Sequence, residues 1–255
     1  MAFDEILKKL EQKPVKLPQS TEHTRIAPNA VLRCALFAAI QSRDRRDMVD
    51  ELVYSQSGIK IKYTGKQLNQ EDLTLWEALL YLVGKENLGA SCSFSAYSIL
   101  SSMGLQSGTN ELKILHDGII RLTACAVQIS YQDRMYFGSL INSGVQDEKT
   151  KTYSLNLSKQ LIRIYAGNDW TIIDKNERDL LRRKPLALAL HGYYSSHKEP
   201  YPVKIDTIRK LSGMLNNNPP QVKQKIKLAL DALVEIGFLE SYSITGDKVS
   251  VVKIK

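Results

Sequence analysis

The helix predicted near the C-terminal end carries hydrogen-bond donors and cations on one face. On a period of 3.6 residues, Val222 and Ile226 fall on one side, and amide and ammonium groups fall on the other. Such groups bind base edges in the major groove of duplex DNA or the phosphates beside it, and their type alone does not assign one role or the other. The residues predicted to contact DNA on this helix are Gln221, Lys223, Gln224 and Lys227.

A second helix with a similar face occurs earlier in the chain, at an offset of 111 residues. Its apolar positions fall on those of the C-terminal helix without an insertion, as in the pair Leu115 and Ile226. The outward face of this earlier helix is predicted to contact DNA through Asn110, Lys113 and Arg121.

Each copy of the repeat is predicted to contain a short helix, a polar break, a longer amphipathic helix and a β-hairpin. The short helices align at the same offset, where Phe94 matches Ile205 and Leu100 matches Leu211. The expected hairpin strands cover residues 126–131 and 135–141 in the first copy, and residues 238–244 and 249–254 in the second.

Helix, turn, helix and hairpin is the order of a winged-helix domain, whose second helix enters the major groove. The hairpin, or wing, lies beside that groove, where Lys248 is predicted to contact DNA and where Lys253 and Lys255 could reach the backbone. The predicted fold is therefore α+β, with two tandem winged-helix domains, each a helix-turn-helix with a β-hairpin wing.

Charge is distributed unevenly along the 255 residues. Residues 1–150 contain 17 Lys and Arg and 17 Asp and Glu, whereas residues 151–255 contain 18 and 10, so the whole net charge of +8 lies in the C-terminal part.

We predict a flexible tail over residues 1–24, a domain for dimerisation and DNA binding over 25–165, and a basic domain, the main DNA-binding one, over 166–255. The alternative to DNA binding is that the basic residues of the C-terminal part form a solvated surface that maintains solubility.

Candidate catalytic sites in the sequence fail on spacing. Gly58 and Gly65, which precedes Lys66, are further apart than the glycines of a phosphate-binding loop, and no Ser or Thr follows the lysine. His191 and His197 have neither the spacing of a zinc-binding helix nor that of metal-dependent nicking enzymes. We therefore predict no enzymatic activity, no catalytic residue, no metal and no cofactor.

The remaining expectations concern burial and local structure. The three cysteines Cys34, Cys92 and Cys125 are far apart and are predicted to be buried apolar side chains, without a disulfide or a zinc site. No apolar run is long enough to cross a membrane, so a cytoplasmic protein is expected. The sequence also predicts a buried helix over residues 28–40, a strand over 58–63 and a helix that begins at residues 70–72.

Several ordered segments resemble the TrfA-like plasmid replication initiators, a family of Rep proteins that bind iterons. The resemblance covers roughly residues 25–255 and is carried by residues 26–37, 58–65, 76–77, 94–98, 184–187, 191–194 and 200–202. It implies two winged-helix domains that bind direct repeats, called iterons, in the duplex DNA of a plasmid origin. It also implies an active monomer, a dimer inactive for initiation, and recruitment of a host initiator and a replicative helicase.

The N-terminal segment departs from this family. TrfA-like proteins can carry a Gln-Leu-x-Leu-Phe peptide for a sliding clamp, and the segments that begin at Gln12 and Gln19 do not match it. Binding of a sliding clamp through this tail is therefore not expected.

Two other functions remain open at this point. One is a winged-helix transcriptional repressor, although a repressor usually pairs one reading element by dimer symmetry and two elements in one chain suit direct repeats. The other is an origin-nicking enzyme with a tyrosine such as Tyr193 or Tyr194, which the histidine spacing argues against.

Overall fold

The computed structural model of the chain describes residues 20–56, 58–85, 92–131, 134–157 and 170–254. Of the predicted tail, residues 1–19 lie outside the described residues, and Thr24 already begins the first strand. In chain order the elements are β1 (Thr24–Pro28), α1 (Asn29–Leu32), β2 (Phe37–Ala38), β3 (Asp47–Val53), β4 (Lys60–Lys66), β5 (Leu68–Asn69), α2 (Gln70–Lys85), β6 (Cys92–Ser95), α3 (Ala96–Ser102), α4 (Thr109–Thr123), β7 (Ala126–Tyr131), β8 (Arg134–Gly138), β9 (Ile141–Asp147), β10 (Thr152–Leu157), β11 (Trp170–Asp174), α5 (Lys175–Leu180), α6 (Pro185–Ser195), β12 (Val203–Lys204), α7 (Ile205–Leu211), α8 (Pro219–Glu235), β13 (Leu239–Thr245) and β14 (Lys248–Lys253).

Two units have the same order of strand, helix, helix and hairpin. In the first, β6 precedes α3 and α4 and pairs with β10 in the three-stranded sheet β6-β10-β9. In the second, β12 precedes α7 and α8 and pairs with β14 in the sheet β12-β14-β13. We call these units head 1 (β6, α3, α4, β9 and β10) and head 2 (β12 to β14). The prediction of two tandem winged helices in an α+β fold is confirmed.

The wing of head 1 is not the hairpin that the sequence predicted. The predicted strands do form the antiparallel pair β7–β8, but this pair extends a separate sheet of order β3-β4-β7-β8. The strands equivalent to β13 and β14 are β9 and β10, joined by a turn over residues 148–151. The four-stranded sheet is therefore an addition to the winged helix of the first half.

The repeat also needs a corrected offset. The longer helices keep their buried positions at 111 residues, as Leu115 and Ile226 show. The short helices match at 109, the distance between their N-caps Ser95 and Lys204, so the second copy contains two more residues between the matched positions of the short and the long helix.

The helix predicted over residues 28–40 is mostly absent. Only α1 forms, because the backbone groups that follow it find partners in other parts of the fold instead of four residues back. The N–H of Ala35 donates to the carbonyl of Tyr54 at 2.8 Å, and Cys34 forms an isolated bridge with Ser55. The strand and the helix predicted after this segment are confirmed as β4 and α2.

Two hydrophobic cores divide the chain. The first contains buried side chains from Ile26 to Ile173, and the second contains those from Leu181 to Val249. β11 pairs with β1 and places Ile173 in the first core, so the core changes after this strand. The boundary predicted at residues 165 and 166 lies outside the described residues.

The burial predicted for the cysteines is confirmed, since the side chains of Cys34, Cys92 and Cys125 are buried and none of the three is part of a disulfide. Burial raises the pKa of Cys34 to about 12 and that of Cys125 to about 11. Among the described helices, none has the length and apolar character required to cross a bilayer.

Candidate nucleic-acid interface

The recognition helix of head 2 is α8, and its first turn is built from local sequence signals. Asn218 caps it by accepting a hydrogen bond from the N–H of Gln221 at 3.2 Å, and Pro219 occupies the first helical position, where no N–H is needed. Val222, Ile226 and other apolar side chains of α8 are buried in the second core. The opposite face is free to meet a ligand.

The predicted contact residues of α8 all lie on that exposed face. Gln221, Lys223, Gln224 and Lys227 are exposed, which is the placement that helical periodicity predicts. The side-chain oxygen of Gln221 accepts a hydrogen bond from Asn216 at 2.8 Å, so this glutamine is oriented by the turn before the helix. The face presents two ammonium groups and two amides next to a helix N-terminus, an arrangement suited to phosphates and base edges.

The second strand of the head 2 wing, β14, begins at Lys248, which is exposed and pairs in register with Lys204 on β12. Two cations therefore stand side by side at the edge of the wing. Lys253 is placed differently, because its Nζ donates to the carbonyl of His197 at 3.0 Å and to that of Tyr194 at 3.3 Å. Burial also lowers the pKa of Lys253, and together with these hydrogen bonds it indicates a structural role for this lysine. Lys255 lies outside the described residues.

In head 1 the recognition helix is α4. Asn110 and Lys113 are exposed on its first turns, as predicted. His116, on the following turn, contacts the hydroxyl of Tyr153 on β10 through Nδ1 at 3.2 Å and thereby joins the helix to its wing. Head 2 also has a bond between helix and wing, although at different positions: the hydroxyl of Tyr242 on β13 donates to Asp231 of α8.

Arg121 does not share this exposed position. Its Nη2 and Nε lie 2.9 and 3.1 Å from Oδ1 of Asp72, a carboxylate that is only 1% exposed. Arg45 donates to the other oxygen of the same carboxylate. The structure thus places Arg121 in an ion-pair cluster between α4 and α2, and we leave it out of the candidate DNA-contacting set.

Sequence reasoning missed the cations on the true wing of head 1. Lys149 and Lys151 occupy the exposed turn between β9 and β10. The carbonyl of Lys151 accepts a hydrogen bond from Ala96 at the start of α3, just as the carbonyl of Asp247 accepts one from Ile205 at the start of α7. These equivalent bonds show that the turn is in the position of a wing. The signal that could have identified this wing in the sequence is the short strand that precedes each pair of helices.

The tyrosines considered for catalysis belong to the second core, and the two histidines pack against aromatic rings of that core. His191 is fully buried and its Nε2 lies 2.7 Å from Oε2 of Glu177. Burial lowers its pKa, although the hydrogen bond to Glu177 opposes that effect. His197 contacts the carbonyl of Tyr193 through Nδ1 at 2.8 Å, and Tyr194 is fully buried. These contacts explain the residues as structural groups.

Comparisons with solved structures support this description of the fold. The crystal structure of domains 2 and 3 of RctB matches 90% of this chain and 99% of its own, with a TM-score of 0.59 and 13% sequence identity. The crystal structure of the Pi initiator protein in complex with iteron DNA matches 73% of this chain and 94% of its own, with a TM-score of 0.53 and 9% identity. At these identities the likeness shows a shared fold alone.

Sequence comparisons are more specific. The plasmid replication initiator protein TrfA of Escherichia coli is 25% identical over 237 residues, which are 88% of this chain and 60% of that protein. The chain thus spans 60% of that relative's length. The family model described as TrfA protein matches residues 5–253 and so includes both heads. Because a single family model covers nearly the whole chain, this protein is a member of the TrfA family.

Proposed function

We propose that this protein is a plasmid replication initiator that binds directly repeated duplex DNA, or iterons, at an origin. In this proposal it promotes opening of the duplex and recruits a host initiator and a replicative helicase, in the cytoplasm and without catalysing a reaction itself. The observation that carries the proposal is the presence of two complete winged-helix heads in one chain whose family match includes both. The relative named above is called a plasmid replication initiator, and the Pi structure contains iteron DNA.

Each head supplies a recognition helix and a wing to one part of the repeat. In head 2 we assign the contacts to Gln221, Lys223, Gln224 and Lys227 on the helix and to Lys248 on the wing. In head 1 we assign them to Asn110 and Lys113 on the helix and to Lys149 and Lys151 on the wing. Head 2 is the main source of electrostatic affinity, because residues 203–253 contain eight Lys and Arg against five Asp and Glu, whereas residues 92–157, which include head 1, contain five of each.

A second copy of the chain is the proposed partner of the first half. The outer face of the sheet β3-β4-β7-β8 has a row of paired positions that runs from Leu52 through Lys62 and Gln128 to Phe137. Leu52 and Phe137 are 71% and 73% exposed, and Met135, two positions before Phe137 on β8, is 60% exposed. Apolar and charged side chains of both signs on one face suit a self-complementary two-fold contact. Residues 1–150 are also electrically neutral, which favours association over repulsion.

The proposed dimer is inactive and the monomer binds DNA, as the family resemblance implies. The host initiator and helicase are partners on the same basis. A sliding clamp is not proposed as a partner of residues 1–24, because their sequence lacks the Gln-Leu-x-Leu-Phe peptide.

The experiment that tests this function is selection of duplexes from a random library by the full chain, followed by footprinting on the DNA that flanks its gene. An initiator is expected to protect several direct repeats, each over about 20 base pairs and from one side of the helix. Protection of a single inverted repeat at the promoter would instead support the repressor, and absence of any selected duplex would refute both functions.

A further inference from the structure

The turns of the two helix-turn-helix units contain equivalent glycines. Gly104 and Gly213 follow α3 and α7 at the same place, and their φ angles of +69° and +63° are in the left-handed region that glycine tolerates. Such a residue commonly ends a helix, so the conformation alone would be ordinary. What distinguishes these two glycines is that each packs against the opposite half of the chain.

The turn of head 2 is attached to the first half. The carbonyl of Ser212 accepts a hydrogen bond from the N–H of Ala39 at 2.7 Å, directly after β2. A Cβ added to Gly213 would lie 2.8 Å from Cβ of Ala38 and 3.4 Å from its Cα. Because real Cβ atoms do not approach so closely, only glycine permits this contact between the two backbones.

The turn of head 1 is attached to the segment that begins the second half. The guanidinium of Arg182, between α5 and α6, donates to the carbonyl of Met103 at 2.8 Å and is paired with Asp179 at 2.9 Å. A Cβ added to Gly104 would lie 2.9 Å from each of these two polar groups. Both turns are therefore held by reciprocal contacts, each from the other half.

A buried ion pair lies in the same interface. Nε of Arg178 on α5 is 3.3 Å from Oε2 of Glu77 on α2, and both side chains are at most 4% exposed. Such a pair adds orientation more than stability, since its desolvation offsets much of its attraction. Nε of Arg33, next to α1, also donates to the hydroxyl of Ser196 after α6 at 2.9 Å.

We infer that these contacts lock the two heads into one rigid reading unit, so that the protein accepts only one spacing between the two halves of a repeat. This inference rests on the proposed function and makes Gly104, Gly213 and Arg182 determinants of spacing specificity, although none is assigned a contact with DNA. Two linked modules gain affinity from each other only when their geometry allows both to bind at once. With rigid heads that geometry is unique, whereas flexible heads would follow a displaced half-site.

The test measures affinity for a selected repeat and for the same repeat with about 2 or about 5 base pairs inserted at its centre, the larger insertion rotating one half by about half a turn. The wild-type chain is expected to lose about tenfold or more in affinity at either insertion. The double variant Arg182→Met with Gly213→Val is expected to lose less than about threefold relative to its own affinity for the uninterrupted repeat. Arg183→Met, at the exposed neighbouring arginine, is the matched control and should keep the wild-type ratio.

A measurement without DNA separates this inference from the proposed function. Spin labels placed at the two wings, through Lys149→Cys and Lys248→Cys, should give a narrow distance distribution in the wild-type background and a broad one in the double variant. A broad distribution in the wild-type background, or equal insertion penalties for the wild type and the double variant, would overturn the inference. Failure to bind any selected repeat would instead contradict the proposed function, and the distance measurement would still decide the question of rigidity.

Discussion

At the scale of single residues, Asp72 shows how a cation on a recognition helix can serve the fold. Its buried carboxylate accepts from Arg45 and Arg121 and also from the N–H of Asn69 at 3.0 Å. Helical periodicity placed Arg121 on the outward face of α4, but periodicity carries no information about a carboxylate on another helix. The side of α4 on which Arg121 lies could therefore be predicted from the sequence, whereas its ion pair with Asp72 could not.

We expect Asp72→Asn to lower the free energy of unfolding by about 3–5 kcal/mol, because it leaves Arg45 buried beside an uncharged group. Arg121→Met should cost only about 1–2 kcal/mol, since Arg45 still neutralises the carboxylate. Urea denaturation measures both values. The folded Arg121→Met variant should bind a selected repeat within about twofold of the wild type. A decrease in affinity of about tenfold or more would return Arg121 to the DNA-contacting set.

The buried His191 predicts a dependence of stability on pH. Its pKa in the folded protein is below its ordinary value near 6.5 because burial disfavours the charged ring. As the pH falls below the ordinary value near 6.5, this histidine takes up a proton in the unfolded chain but not in the folded chain. The stability that is present at pH 7 is therefore lost by up to about 1.4 kcal/mol per pH unit. His197 adds to the trend, since burial lowers its pKa as well.

His191→Gln retains a donor for Glu177 and removes the titration. Thermal unfolding between pH 5 and 7 should then show a smaller loss of stability towards acid than the wild type shows. The matched control is His23→Gln at an exposed position, which should keep the wild-type slope. An unchanged slope in the His191 variant would contradict the assignment.

At the scale of elements, the amphipathic helices could be predicted and the wing of head 1 could not. Both recognition helices bury apolar residues on a strict helical period, which gives a strong pattern. β9 reads Ile-Asn-Ser-Gly-Val-Gln-Asp and buries only Ile141 fully, so its pattern is weak beside the strict alternation of β7. The strands β6 and β12, with four and two residues, are identified only by their pairing with the wings.

The exposed face of the sheet β3-β4-β7-β8 predicts how the chain self-associates. Phe137→Arg should raise the dimer dissociation constant by about tenfold or more, because it replaces an exposed aromatic side chain of the proposed contact with a charge. Tyr201→Arg removes another highly exposed aromatic side chain, in the second half, and should have no such effect. Sedimentation velocity over a concentration series compares the two. Equal dissociation constants for both variants and the wild type would exclude this face.

At the scale of the whole molecule, the asymmetry of charge predicts a steep dependence of binding on salt. If about six phosphates are neutralised, log affinity should fall against log salt with a slope near −5. The double variant Lys223→Ala with Lys227→Ala should flatten the slope by up to about 2, about one for each phosphate that a lysine no longer neutralises. A wild-type slope shallower than about −2 would refute the electrostatic account.

The arrangement of the two halves relative to each other could not be predicted from the sequence. The repeat predicted two heads, but the contacts that join them involve backbone groups and small residues such as Ala39 and Gly213, which produce no pattern in the sequence. The sheet β3-β4-β7-β8 of the first half interrupts the repeat. Its strands come from separate segments of the chain, so their pairing also produces no pattern in the sequence.

The claim that one chain reads one repeat with both heads is tested most directly on repeats mutated half by half. Lys227→Ala in head 2 and Lys113→Ala in head 1 are compared with the wild type in a series of binding measurements. Each lysine that contacts a base should cost about 1–3 kcal/mol when removed and should relax the preference only in the half read by its own head. Loss of discrimination at the same bases in both variants, or no loss in either, would contradict the two-headed account.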